Sequence, residues 1–116
     1  MSTFDQRGQR VNYQYNAAGN INFGAVQNRL ELVTELEKLQ GEMTKAIEAS
    51  VFDESLATDV DYRIKKAVQE AKKDEPNKKT ILEHLEEAKN LIKEVAAAGG
   101  LVMALVKAVE LVRQFF

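Results

Sequence analysis

The stretch Leu30–Val51, LELVTELEKLQGEMTKAIEASV, decides the fold. Its apolar side chains fall at Leu32, Leu36, Leu39, Met43, Ile47 and Val51, spaced four, three, four, four and four, and Leu30 and Val33 widen the stripe. That is the repeat of a helix with one face turned inward. Glu31, Glu35, Lys38, Glu42 and Lys45 occupy the other side and read as a solvated face, where a pair such as Glu35 with Lys38 adds only a few tenths of a kcal/mol. Packing must therefore hold this helix. Gly41 in its middle costs up to about 1 kcal/mol relative to Ala and reads as either a close helix approach or a local weakness.

Downstream the same period recurs. Asp53 is suited to cap a second helix, with Phe52 ahead of it as a staple, and Leu56, Val60, Ile64, Ala67, Val68 and Ala71 line one side. Lys72 and Lys73 suit the negative end of that helix, and Pro76 stops it by disfavouring helical geometry at Glu75. Asn77 then caps a third helix that buries Ile81, Leu85, Ala88, Ile92 and Val95, flanked by Leu82 and Leu91. The run Ala96–Gly100 predicts a break or strong kink at the two glycines. From Leu101 to Phe116 the pattern is helical again, with Lys107, Glu110, Arg113 and Gln114 as the only polar residues. Such a wide apolar face fits a helix contacted on two sides by its neighbours. In the alternative, Leu101, Leu105, Val109, Val112 and Phe116 meet a membrane surface or another subunit. As a span the segment is short of the roughly 20 apolar residues needed and carries charges.

Upstream the chemistry changes in kind. Between Arg10 and Arg29 there is no charged residue, and from Val11 the chain alternates: Val11, Tyr13, Tyr15, Ala17, Gly19, Ile21 and Phe23 against Asn12, Gln14, Asn16, Ala18, Asn20 and Asn22. Period two is the period of a strand. Ala17-Ala18-Gly19-Asn20 offers a turn between two short strands, and two strands alone are marginal in water, so the expectation is a β-prone or disordered segment. The chain thus divides into residues 1–25, a flexible or β-prone assembly segment, and residues 26–116, an antiparallel bundle of three to four helices whose first helix runs from about Val26 to Ala49. The fold class is mainly α.

Composition narrows the function. With 116 residues the chain holds one domain and at most an appendage. There is no Cys, His84 is the only histidine, and serine occurs only at positions 2, 50 and 55. Thiolate metal sites and a nucleophile with its base cannot be assembled in the usual ways. His84 has Ile81 rather than Glu three residues before it, so it lacks the Glu-x-x-His element of a carboxylate metal bundle. No catalytic group, cofactor or metal is expected. The net charge of −2 gives no general pull toward nucleic acid, and the lysines around Pro76 are diluted by acids without interleaved aromatics. The start, MSTFDQRGQR, lacks the apolar run of a signal peptide. A cytoplasmic protein is expected.

The residues Gln9, Val11, Gln14, Asn16, Ala18, Gly19, Asn20, Ile21 and Asn22, read as Q-x-V-x-x-Q-x-N-x-A-G-N-I-N, resemble the short amyloid-type signalling motifs of bacterial NLR-like and cell-death pathways. Those motifs are functionally similar to RIP homotypic interaction motifs. The resemblance covers about one fifth of the chain, and the helical remainder is similar to domains that accompany such motifs in bacterial effector-associated proteins. It implies homotypic stacking, with the chain itself, or a protein bearing a similar motif, as the partner. In the best-known pore-forming members the motif is C-terminal, whereas here it is N-terminal. The residues alone lead to a compatible expectation: in-register stacking would build Asn and Gln ladders on one face and a dry apolar surface on the other. Val11, Gln14, Asn16, Gly19, Ile21 and Phe23 are the expected contact residues. Arg7, Arg10 and Arg29 flank them as gatekeepers. Two alternatives stand beside this: a membrane-active effector using the last helix, and an N-terminal hairpin folded onto the bundle as a symmetric oligomer interface.

Overall fold

The computed structural model describes residues 21–116, and among them four α-helices and no strand. These are α1 (Arg29–Glu48), α2 (Glu54–Ala71), α3 (Lys78–Ile92) and α4 (Gly99–Phe115). Short 3-10 turns lie at Phe23–Ala25 and Ala96–Ala98. The first three helices each begin at a side-chain cap. Asn28 accepts from the Glu31 amide at 2.8 Å, Asp53 from Leu56 at 2.8 Å and Asn77 from Thr80 at 3.0 Å. Each cap satisfies one of the amides that a helix start leaves unpaired.

The helices form a closed ring in which α1 packs on α2 and α4, and α3 packs on α2 and α4. Neighbours are antiparallel: short connections join α1 to α2 and α2 to α3, and the starts of α1 and α3 both meet the end of α4. Lys72, just past the end of α2, meets Glu37 in the middle of α1 at 2.9 Å, and Arg63 of α2 faces His84 of α3 at 3.2 Å. Lys78, opening α3, donates to the Arg113 carbonyl near the end of α4 at 2.7 Å. That carbonyl lies in the last turn, where a cation suits the helix dipole. The α2–α3 loop is held by the Glu70 carboxylate, which accepts from the Asn77 amide at 2.9 Å and pairs with Lys73 at 3.0 Å.

The interior takes most of the expected stripe, Leu32, Leu36, Leu39 and Met43 of α1, Val60 and Ile64 of α2, and Ile81, Leu85 and Ile92 of α3, together with Leu101, Leu105 and Val112 of α4, whereas Ile47, Val51, Leu56 and Val95 are only partly buried. Each such side chain contributes about 1.5–3 kcal/mol on burial. Three sequence readings need correction. Leu30 does not widen the buried stripe but is 77% exposed, because it lies in the first turn of α1, ahead of the core. Glu35 and Glu42 are not on a solvated face; they are 9% and 6% exposed. The chain does not break at Gly99-Gly100. The interruption comes earlier, between Ile92 and the 3-10 turn at Ala96–Ala98, and Gly99, with φ −53°, opens α4.

Helix α1 ends in a Schellman motif: Val51 N–H donates to the Ala46 carbonyl and Ser50 N–H to that of Ile47, both at 3.0 Å. Ser50 takes the left-handed position of that motif, with φ 60°, where an L side chain costs roughly 1–2 kcal/mol. Gly41 stands in the converse situation. No neighbouring atom lies within 4 Å of where its Cβ would be, so of its two sequence readings the local weakness applies. Exchanging the two residue types at these positions should therefore help twice: Ser50→Gly and Gly41→Ala are each expected to raise urea-unfolding stability by about 0.5–1 kcal/mol. A loss of stability in either variant contradicts the assignment for that site.

Candidate interaction site

Before α1 begins, the chain is already part of the packed body. Ile21, Phe23 and Val26 are buried with the helical core, and the 3-10 turn between them rests on α4. Two carboxylates of α1 hold this strip. The Asn22 amide donates to Glu35 Oε1 at 2.7 Å, while Glu35 Oε2 pairs with Lys38 at 3.1 Å. One helical turn earlier, the Gln27 amide donates to Glu31 Oε1 at 2.8 Å, so Glu31 reaches back as Asn28 reaches forward, in the manner of a capping box. A charge-assisted bond to a buried carboxylate is worth roughly 1.5–3 kcal/mol, enough to fix where the strip enters.

Between the strip and α4 runs a groove of about 650 Å³. Ile21, Phe23 and Val26 line one wall, Ala104, Leu111 and Phe115 line the helix side, and Met103 stands at the edge, 64% exposed. Lys107, Glu110 and Gln114 form a polar rim, with Lys107 and Glu110 3.9 Å apart. The groove has no titratable pair in hydrogen-bonding contact with a nucleophile; its chemistry is apolar contact with amides and charges at the margin.

The expected contact residues divide. Ile21 and Phe23 form the groove wall, whereas Val11, Gln14, Asn16 and Gly19 lie outside the described residues. On α4, Leu101, Leu105, Val109 and Val112 point into the bundle and are buried, so in this fold they offer no surface to a membrane or a second subunit. Phe116 is half-buried beneath the Arg29 guanidinium, 4.9 Å from its ring centre. The exposed row of that helix is Met103, Lys107, Glu110 and Gln114, spaced four, three and four. Its polar members stand out in sequence, and tracing their spacing back one turn reaches Met103, an apolar residue on a solvent line.

The other polar clusters are internally satisfied. His84 Nδ1 lies 3.2 Å from Arg63, and its ring meets Tyr62 edge-on at 6.3 Å. Lys65 pairs with Asp61 and Lys72 with Glu37. Among the described residues no group of three or more His, Asp or Glu is placed to hold a metal ion, and no helix is long and apolar enough to cross a membrane. The chain matches no protein-family model, no curated protein and no solved structure.

Two outcomes follow from these contacts. Removing the acceptor in Glu35→Ala should speed exchange of the Asn22 amide about tenfold and lower stability by about 1.5–3 kcal/mol. Glu35→Gln, which keeps an oxygen there, should lose less, and unchanged Asn22 exchange in the alanine variant would contradict the clamp. Burial first, and the Arg63 guanidinium second, hold the His84 pKa below its ordinary 6.5. Between the folded and unfolded pKa values the unfolded chain binds more protons, so stability should rise with pH toward neutrality and fall as pH drops below that value. Denaturant midpoints between pH 5 and 7.5 should show this slope, and His84→Gln should flatten it.

Proposed function

We propose that the chain is a non-enzymatic interaction module that self-associates, or docks onto a protein with a similar motif, through its Asn- and Gln-rich strand-patterned stretch, with the helical bundle as its carrier. The observation that carries this is the absence of any charge between Arg10 and Arg29 in a segment of period two, set in a chain that is otherwise dense in Lys and Glu. Such a segment can stack on copies of itself at ~4.8 Å intervals, each amide bonded to the layer above and below. Ile21 and Phe23, at the C-terminal end of the stretch, are buried with the helical core, which makes the bundle the carrier of the stretch and requires these two to leave their seat before they can stack. The resemblance to bacterial amyloid-type motifs fits a defence or cell-death signalling pathway as the setting.

Charge is the cheapest way to test the idea. Lysines introduced as Gln14→Lys and Asn16→Lys would repeat every ~4.8 Å in a stack and oppose one another. The unaltered chain, incubated at high concentration, should form sedimentable species with a ~4.8 Å diffraction spacing, and fragments of these should abolish the lag. The double variant should remain monomeric with its helical circular dichroism and thermal midpoint intact. Sedimentation that proceeds equally in both proteins would sink the proposal.

A further inference from the structure

We infer that the exposed row of α4 is the seat of a second copy of this chain, the two α4 helices packing antiparallel about a two-fold axis midway between Lys107 and Glu110. This contact lies on a different surface from the stacking proposed above and does not depend on it. Charge decides the partner. The row is Met103, Lys107, Glu110 and Gln114, spaced four, three and four, which is the spacing of a seam between paired helices. It holds one cation and one anion, so it gives no net pull toward an anionic membrane or a nucleic acid. Their side chains are 64% and 59% exposed, and at 3.9 Å their mutual contact is too long to commit either of them.

Reversing the helix about the midpoint of Lys107 and Glu110 sends each of the four residues to the level of another of the four. Lys107 comes level with Glu110 of the second copy, Glu110 with its Lys107, and Met103 with its Gln114. Two ion pairs thus cross the axis, where a parallel pair would set Lys107 against Lys107 and Glu110 against Glu110. Met103, the most exposed large apolar side chain of α4, gains cover by the same step. It stands ~8 Å along the helix from the axis, and the position it meets is flanked by Leu111 of the second copy, part of the apolar side of the groove. Tyr62 is also exposed, but Arg63 and Lys66 lie over its ring at 5.7 and 5.6 Å. A two-fold contact centred there would bring like charges together. Helix α4 has 17 residues and is therefore ~25 Å long, so one such pair buries a small area and holds weakly.

The test is sedimentation equilibrium of the full chain over a range of concentrations, with Lys107→Glu, Glu110→Lys and the double exchange of the two. Both side chains are exposed, so every variant should keep the bundle's thermal midpoint. The parent should pass reversibly from monomer to dimer. Each single reversal sets like charges level across the axis twice and should weaken the dimer about tenfold, and the double exchange should restore it. A monomer at every concentration up to about 1 mM, whatever else meets the groove, overturns the inference, and so do single reversals that leave the dimer unchanged. The lysine variant Gln14→Lys with Asn16→Lys separates this contact from the stacking. A dimer that persists in it and yields only to the α4 charges supports the inference, and if the parent then forms no sedimentable stack the stacking alone is removed. A dimer lost in it and indifferent to the α4 charges belongs to the N-terminal stretch, which overturns the inference and leaves the stacking.

Discussion

Helix α4 must be kept out of water, and that constraint dictates how the other elements are placed. Only Lys107, Glu110, Arg113 and Gln114 are polar between Leu101 and Phe116, so one neighbouring helix cannot cover it. The ring supplies two, α1 and α3, and the strip before α1 supplies a third cover. Polar ties accumulate at the end where α4 runs out of partners. Lys78 and Arg29 reach its last carbonyls and Arg113 bonds Glu86 at 3.0 Å. Exposed pairs of this kind are each worth about 1 kcal/mol or less; they set the register of a body that apolar burial holds together.

The strip is the costliest part of this arrangement to specify, because it has no helix of its own to satisfy its backbone. Glu35 answers that need by facing inward. The residue is 9% exposed, yet its carboxylate is bonded on both oxygens, to the Asn22 amide and to Lys38. A buried charge so partnered is stable in place, whereas stripped of partners it would be strongly unfavourable. The clamp thereby converts the entry of the chain from a loose tail into a fixed point.

The helical body was legible because burial and periodicity coincide. Leu32, Leu36, Leu39, Ile64, Leu85 and Leu105 are interior for the reason their spacing gives, and the caps Asp53 and Asn77 stand where residue type and a following apolar run place them. What escaped was set by tertiary contact. Glu35 sits beside Leu36 in a helix whose charged residues look alike, and only the strip packed against it distinguishes it from Glu31 or Glu37. The start of α1 at Arg29 rather than Val26 has the same origin, since Val26 is buried with the core in extended conformation and Asn28 caps the helix after it. The break ahead of Gly99 was misplaced because glycine marks where a helix can bend, while the turn at Ala96–Ala98 is made by the chain reversing between α3 and α4. The groove was not legible at all, being the space two distant segments leave between them.

The anchored strip imposes a limit on any stacked assembly. A helical bundle is roughly 20 Å across, two helix diameters, whereas stacked strands repeat every ~4.8 Å. With Ile21 and Phe23 seated in the core, the bundle begins where the motif ends and no linker separates them. Bundles on successive layers would then collide after very few copies. Growth beyond that point requires the strip to leave its seat, exposing Ile21, Phe23 and Val26 at a cost on the order of 5 kcal/mol before the Asn22 bond is counted. A free energy of that size would make the first layers of the proposed stack rare, and later ones would be favourable only if the ladder recovered it by burying Ile21 and Phe23 again against their own copies. The residues that close the bundle and those that would build the proposed stack are in part the same, so the burial that stabilises the fold would oppose the proposed assembly.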